Sequence, residues 1–267
     1  MPAKKSVRQQ QVEALLLAPV DWLEERSGLV GGMKYFLFRK VPAETNWFHT
    51  LGSATLTAFI VQTVTGVILA MYYKADANAA YESIQYITND LTWGWLVRGM
   101  HRWGASVFII LLFMHMGRVF LFGAYKYPRE LNWLIGVIIL TLALFEGLTG
   151  YLLVWDQTAY WATVVAININ ANAPILGPFI GDFLRGGTEV GADTLTRFYS
   201  LHMLAIPGGL MALIGLHLYL VIRLGITPPP WGDKAASGYE DVAEAGPAKE
   251  GLLDPRPRGN GGTKVDG

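Results

Sequence analysis

The chain has 267 residues, 52% of them hydrophobic, and 21 Lys and Arg balance 21 Asp and Glu. Zero formal charge gives no support for nucleic-acid binding. The lack of cysteine excludes disulfides, cysteine-held iron–sulfur clusters and covalently attached c-type haem within this chain.

The first stretch, MPAKKSVRQQQ, is polar and does not read as a cleavable signal peptide. Val12 to Trp22 is apolar on one side and runs into DWLEER at 21–26. That pattern predicts a helix lying at the membrane surface, within an N-terminal segment 1–45. A solvated leader helix docked on a partner fits equally well. Four long apolar segments follow. Segments 51–73 and 198–222 carry no charge, and 131–155 carries only Glu146. Segment 94–122 has an uncharged centre with arginines near both ends. A bilayer requires about 20 mostly apolar residues, so each segment reads as a transmembrane helix. The connection 156–196 is too long for a turn, and its apolar start, WDQTAYWATVV, suits short helices at the outer interface. Beyond Thr227 proline, glycine and charge dominate, which predicts a disordered tail over 231–267. No convincing internal repeat emerges.

Lys and Arg are concentrated before the first segment and between the second and third (Arg118, Lys126, Arg129), whereas the other two connections are more acidic. The positive-inside rule puts both termini in the cytoplasm or its equivalent. His101 and His202 then lie toward the outer side, and His115 and His217 toward the inner side.

Those four histidines carry the chemistry. His101 and His115 are 14 residues apart, and His202 and His217 are 15 apart. At about 1.5 Å per residue each pair spans roughly 21–22 Å, one histidine near each face of a hydrocarbon core about 30 Å thick. Histidine within a membrane is costly and usually functional. Fourteen residues turn about 1400°, close to four full turns, so the first pair shares a face. Fifteen overshoot by about 60°, and Pro207-Gly208-Gly209 between them offers a kink that restores the phase. Two such helices side by side would hold two stacked haems by paired imidazoles, a low-spin arrangement suited to electron transfer.

Arg98, Arg102, Arg118, Arg197 and Arg223 flank the histidines and suit anionic haem propionates, although snorkelling to headgroups explains any one of them. Gly52 and Gly66 are 14 apart, as are Gly136 and Gly150, an interval that leaves room for macrocycles wedged among helices. Small-residue helix packing is the simpler explanation of any one glycine. Glu146 is either a relay for protons or a paired helix contact. The fold expected is an all-α membrane protein, a four-transmembrane-helix di-haem bundle over 46–230 with an N-terminal interfacial helix.

The stretches DWLEER, TAFIVQTVTGVILAMYY, GWLVRGMHRWGAS, KYPRELNW, GLTGYLLVWDQTAYWA and LTRFYSLH resemble the cytochrome b family, and most closely its short split form, over residues 20–230. The resemblance implies two non-covalent b-type haems in the core of a proton-translocating quinol-oxidising complex. His101 and His202 would bind the outer haem, and His115 and His217 the inner. Quinol or quinone would be substrate, with Trp155, Asp156, Tyr160, Trp161 and Val165 lining the oxidation pocket. It further implies a Rieske iron–sulfur protein, a c-type cytochrome or equivalent acceptor, a separate subunit carrying the C-terminal half of cytochrome b, and a homodimer of the complex. The membrane expected is the bacterial inner membrane, ahead of a thylakoid-type one. Thr50 stands where plastid-type chains carry the cysteine of an extra covalent haem, so no such attachment is expected, while a non-covalent third haem stays open. PEWY is missing, in keeping with a split chain, and Val154 replaces the usual proline before WDQ. Two alternatives remain: a di-haem membrane anchor of a dehydrogenase or hydrogenase, and a membrane transporter without haem.

Overall fold

A computed structural model describes residues 7–31 and 45–227, as two units taken separately. The basic residues at 1–6 and 32–44, and the tail expected over 231–267, lie outside the described residues. In the first unit α1 runs over Val7–Ser27 and so starts before the apolar stripe. The Arg26 guanidinium lies 4.6 Å from the centre of the Trp22 ring. Ser27 closes the helix by donating to the Leu23 carbonyl at 2.6 Å.

The second unit is all helical among the described residues. A 3₁₀ turn at Trp47–Thr50, capped by Asn46, leads into α2 (Leu51–Ala70). Then come α3 (Ala80–Asn89), α4 (Gly94–Leu121), α5 (Glu130–Leu152), α6 (Gln157–Ala171), α7 (Gly177–Arg185) and α8 (Ala192–Ser200). A π-helical turn at Leu201–Ala205 joins α8 to α9 (Ile206–Leu224). Four stretches are long and apolar enough to cross a membrane: Trp47–Ala70, Gly94–Leu121, Glu130–Leu152 and Ala192–Leu224. The chain is a multi-pass membrane protein.

Within the bundle α2 packs along α4, and α5 along α9. Phe59 and Phe108 meet at 5.9 Å between ring centres, and Phe108 packs with Leu112 and Ala143 in the middle of the bundle. Ile135 and Ile139 of α5 close on Leu210 of α9. Many other apolar side chains of the spans are exposed, as suits surfaces that face lipid or further helices. The long connection folds into α6 and α7 over one end of the bundle, where Leu152, Leu153, Ile167, Leu195 and Phe198 form a core.

The structure revises two readings. Arg129, read above as a loop charge, is buried at the other end of the bundle. It donates to the carbonyls of Gly225 and Leu224 at 3.3 and 3.4 Å, capping the C-terminus of α9 where a cation is favoured. The extra residue between His202 and His217 is absorbed by the π-helical turn rather than by a kink at Pro207. The Ile206 N–H bonds the Leu201 carbonyl, five residues back, so the turn holds one residue more than an α-turn. Pro207, which has no N–H to give, begins the α-helix beyond it.

Candidate functional site: two facing histidine pairs

The helices bring all four histidines together as two pairs. His101 of α4 faces His202 of the π-turn with ring centres 6.3 Å apart and planes at 86°. His115 of α4 faces His217 of α9 at 6.4 Å and 80°. Two imidazoles on opposite sides of one metal stand about 6.3 Å apart, given a metal–nitrogen bond of about 2.0–2.1 Å and about 1.1 Å from nitrogen to ring centre. Both pairs match that spacing. Among the described residues no three His, Asp or Glu gather around a metal-sized site. Two imidazoles alone are the donor set for an iron whose other four ligands come from a macrocycle.

Each glycine of the 14-residue intervals faces one of these rings. A Cβ at Gly52 or Gly66 would lie 3.2 Å from Cε1 of His115 or His101. At Gly150 it would lie 2.5 Å from His202 Cε1, and at Gly136 3.7 Å from His217 Cε1. The space these glycines leave is filled by the imidazole edges, so in this structure they clear the histidine rings.

Two threonines that sequence reasoning missed orient the pair at the α6 end. Thr65 Oγ1 lies 2.9 Å from His101 Nδ1, and Thr149 Oγ1 lies 3.2 Å from His202 Nδ1. Both hydroxyls already donate to backbone carbonyls of their own helices, Thr65 to Val61 at 2.7 Å and Thr149 to Glu146 at 3.0 Å. With the hydroxyl hydrogen committed, each histidine must be the donor at Nδ1, which leaves Nε2 as the ring nitrogen that carries the lone pair. The signal was in the sequence: both threonines precede an interval glycine, as Thr65-Gly66 and Thr149-Gly150. Leu51 and Ile135 occupy the equivalent places at the other end. There His217 Nδ1 is buried without a hydrogen-bond partner.

A cavity of about 790 Å³ opens between His101 and His202, within the range of cofactor sites. Phe59, Phe108 and Leu210 are among its apolar walls, and Arg98, Arg102, Asp156 and Glu146 supply charge. Arg98 also donates to Thr88 at 3.2 Å. Tyr73 lines the same cavity, donates to the Leu153 carbonyl at 2.8 Å and stacks on Tyr199 at 5.6 Å. Burial, and then the neighbouring Tyr199, push its hydroxyl well above the ordinary tyrosine range, so it remains a donor.

The other predicted residues divide. Arg118, at the second pair's end, lies over the Phe122 ring at 4.9 Å and has two buried donors, Nε and Nη2, without hydrogen-bond partners, which an anionic group would satisfy. Arg197 lies against the turn at Gly186, its Nη1 also buried without a hydrogen-bond partner, and Arg223 is exposed and bonded to Tyr219 at 3.3 Å. Glu146 is paired: its Oε1 is 3.2 Å from His202 Nδ1. Asp156 caps α6 by accepting from Ala159 N–H at 2.7 Å. Trp155 has φ of 55° and meets Tyr160 edge-on at 5.9 Å. Trp161 and Val165, four residues apart on α6, expose 59% and 56% of their surface and leave that face open.

The chain matches the model of the Cytochrome b/b6/petB family over residues 37–225. It is 40% identical over 209 residues to cytochrome b6 of Prochlorococcus marinus (strain MIT 9515), covering 78% of this chain and 96% of that one. Cytochrome b6 of Mastigocladus laminosus is also 40% identical, over 78% of this chain and 97% of its own. Among solved structures, a chain of a hyperthermophilic respiratory Complex III superposes with a TM-score of 0.71 at 35% identity, over 80% of this chain. The chain spans 58% of that protein's length.

Proposed function

Because this chain belongs to the cytochrome b/b6 family, as a cytochrome b subunit of a bc-type complex, we propose that it holds two b-type haems and passes electrons across the membrane between a quinol-oxidation and a quinone-reduction site, coupled to proton translocation. The observation that carries this reading is the 6.3 and 6.4 Å spacing of the two histidine pairs. A bound haem supplies an iron that changes oxidation state by one electron.

The chain's own residues do the rest. His101 and His202 present Nε2 into one site, and His115 and His217 into the other. Thr65 and Thr149 fix the rings of the first pair, and the four glycines let the rings stand upright between helices. Arg98 and Arg102 at one end and Arg118 at the other offer guanidinium groups to propionates. Phe59 and Phe108 fill the space between the two levels and keep water out. The open face of α6, with Trp155, Asp156, Tyr160, Trp161 and Val165, is the wall we assign to quinol. Glu146 lines the same cavity beside His202, and we assign the expected proton relay to it.

The same reading calls for a Rieske protein, a c-type cytochrome or equivalent acceptor, a subunit with the C-terminal half of cytochrome b, and a dimeric complex. It sets the chain in a bacterial inner membrane with cytoplasmic termini. The family match over 37–225 leaves the dehydrogenase-anchor and transporter readings without support. The test is quinol-dependent reduction of a c-type cytochrome by the purified complex in vesicles, with proton release measured alongside. Turnover with proton release supports the reading. A complex that contains this chain and the Rieske protein but does not oxidise quinol contradicts it.

A further inference from the structure

Two short segments of one design hold the first histidine pair: Gln62-Thr63-Val64-Thr65-Gly66 and Glu146-Gly147-Leu148-Thr149-Gly150. In each the glycine faces an imidazole and the threonine takes its Nδ1–H. The residue three before the threonine is Gln62 in one segment and Glu146 in the other, and the Glu146 carbonyl lies 3.2 Å from His202 Nδ1. The segments differ in the chemistry of that residue. Gln62 turns its neutral amide over Gly104, where its Nε2 occupies the place of a missing Cβ. Glu146 instead brings Oε1 to 3.2 Å from His202 Nδ1. The His202 N–H therefore meets two hydrogen-bond acceptors, Thr149 Oγ1 and the Glu146 carbonyl, with a carboxyl oxygen 3.2 Å from the same nitrogen, whereas the side chain that meets His101 Nδ1 is a lone hydroxyl. Glu146 Oε2 is buried without a partner, which a carboxylate serving only to join two helices would avoid.

We propose that Glu146 is a positioning residue that makes His202 the stronger electron donor of its pair and lowers the reduction potential of the haem bound there. The inference rests on the reading of His101 and His202 as axial ligands. A carboxylate oxygen this close to the Nδ1–H favours positive charge on the ring, and a carboxylate beside the outer nitrogen raises the basicity of a metal-bound imidazole. A more basic ligand favours ferric over ferrous iron. Reduction adds one electron to the iron; no bond forms or breaks, and the proton stays on Nδ1.

Glu146→Gln makes the second segment begin like the first and keeps the shape of the side chain. In a redox titration of the purified complex, the ferrous-to-ferric ratio of that haem at fixed potential should rise about tenfold, a midpoint shift of about 59 mV for one electron. The other haem should not move. An unchanged potential, or an equal shift of both haems, overturns the inference. Should the variant fail to assemble, pulsed electron paramagnetic resonance on the wild-type complex decides the question. One of the four axial imidazoles should show an Nδ1 quadrupole coupling displaced toward imidazolate, and four alike would overturn it. A wild-type complex without b-type absorbance defeats the ligand reading itself and is told apart from these results by that spectrum.

Discussion

Replacing the four interval glycines by alanine, one at a time, separates two explanations of why they are there. Alanine gains about 0.8–1.0 kcal/mol over glycine in a helix interior, the same at all four sites. The steric term differs. At Gly150 the new methyl would lie 2.5 Å from His202 Cε1, 3.0 Å from Nε2 and 3.1 Å from Nδ1. That ring is tied by Thr149 and Glu146 and cannot swing away cheaply. Overpacking costs about 1–3 kcal/mol, and each hydrogen bond given up costs about 1 kcal/mol more. The net loss at Gly150 is then about 1–3 kcal/mol, or up to roughly a hundredfold in haem affinity. Gly52 and Gly66, at 3.2 Å, should come out near neutral, and Gly136, at 3.7 Å, neutral or stabilised. Difference spectra that resolve the two b haems, recorded on purified variants during detergent challenge, read the order directly. Gly150→Ala should lose the His101–His202 haem first, and Gly136→Ala should keep both. Equal loss at all four positions would mean that the glycines clear macrocycles rather than imidazoles, and would refute the reasoning.

The threonines and the π-turn lead to further tests. Thr65→Val and Thr149→Val remove the groups that fix Nδ1, so haem affinity at that pair should fall about 10–100-fold while the His115–His217 haem is untouched. Haem titration of the two variants checks it, and equal loss at both levels would contradict it. Deleting Ala212 in α9 turns His217 about 100° away from His115 and should abolish the second haem alone. Deleting Leu204 from the π-turn, together with Pro207→Ala so that an α-helix can close, leaves a 14-residue interval and should retain both haems by absorption spectroscopy.

Much of this arrangement was legible in the sequence because the membrane fixes it. Charge-free segments give the spans, 14 residues of α-helix return a side chain to the same face, and the distribution of Lys and Arg orients the spans, so spacing and topology together pair His101 with His202 and His115 with His217. The 15-residue interval showed that the fourth span departs from regular helix, but spacing cannot tell a kink from an added π-turn; backbone hydrogen bonds decide that. Thr65 and Thr149 were obscured because threonine is common in membrane helices and usually bonds only its own backbone. Their role depends on a ring from another helix. Glu146 was visible as an isolated charge, yet its partner lies 56 residues away. Arg197 and Arg223 show the same limit: adjacency to a histidine in sequence does not fix where a side chain points, and here one lies against the turn at Gly186 and the other bonds Tyr219.

The two-haem reading is tested most directly by the ferric resonance spectrum of the purified complex, taken with its haem-to-chain ratio. Imidazole planes at 86° and 80° predict two strongly anisotropic low-spin signals and two haems per chain. A high-spin signal, a single low-spin species, or one haem per chain would contradict it.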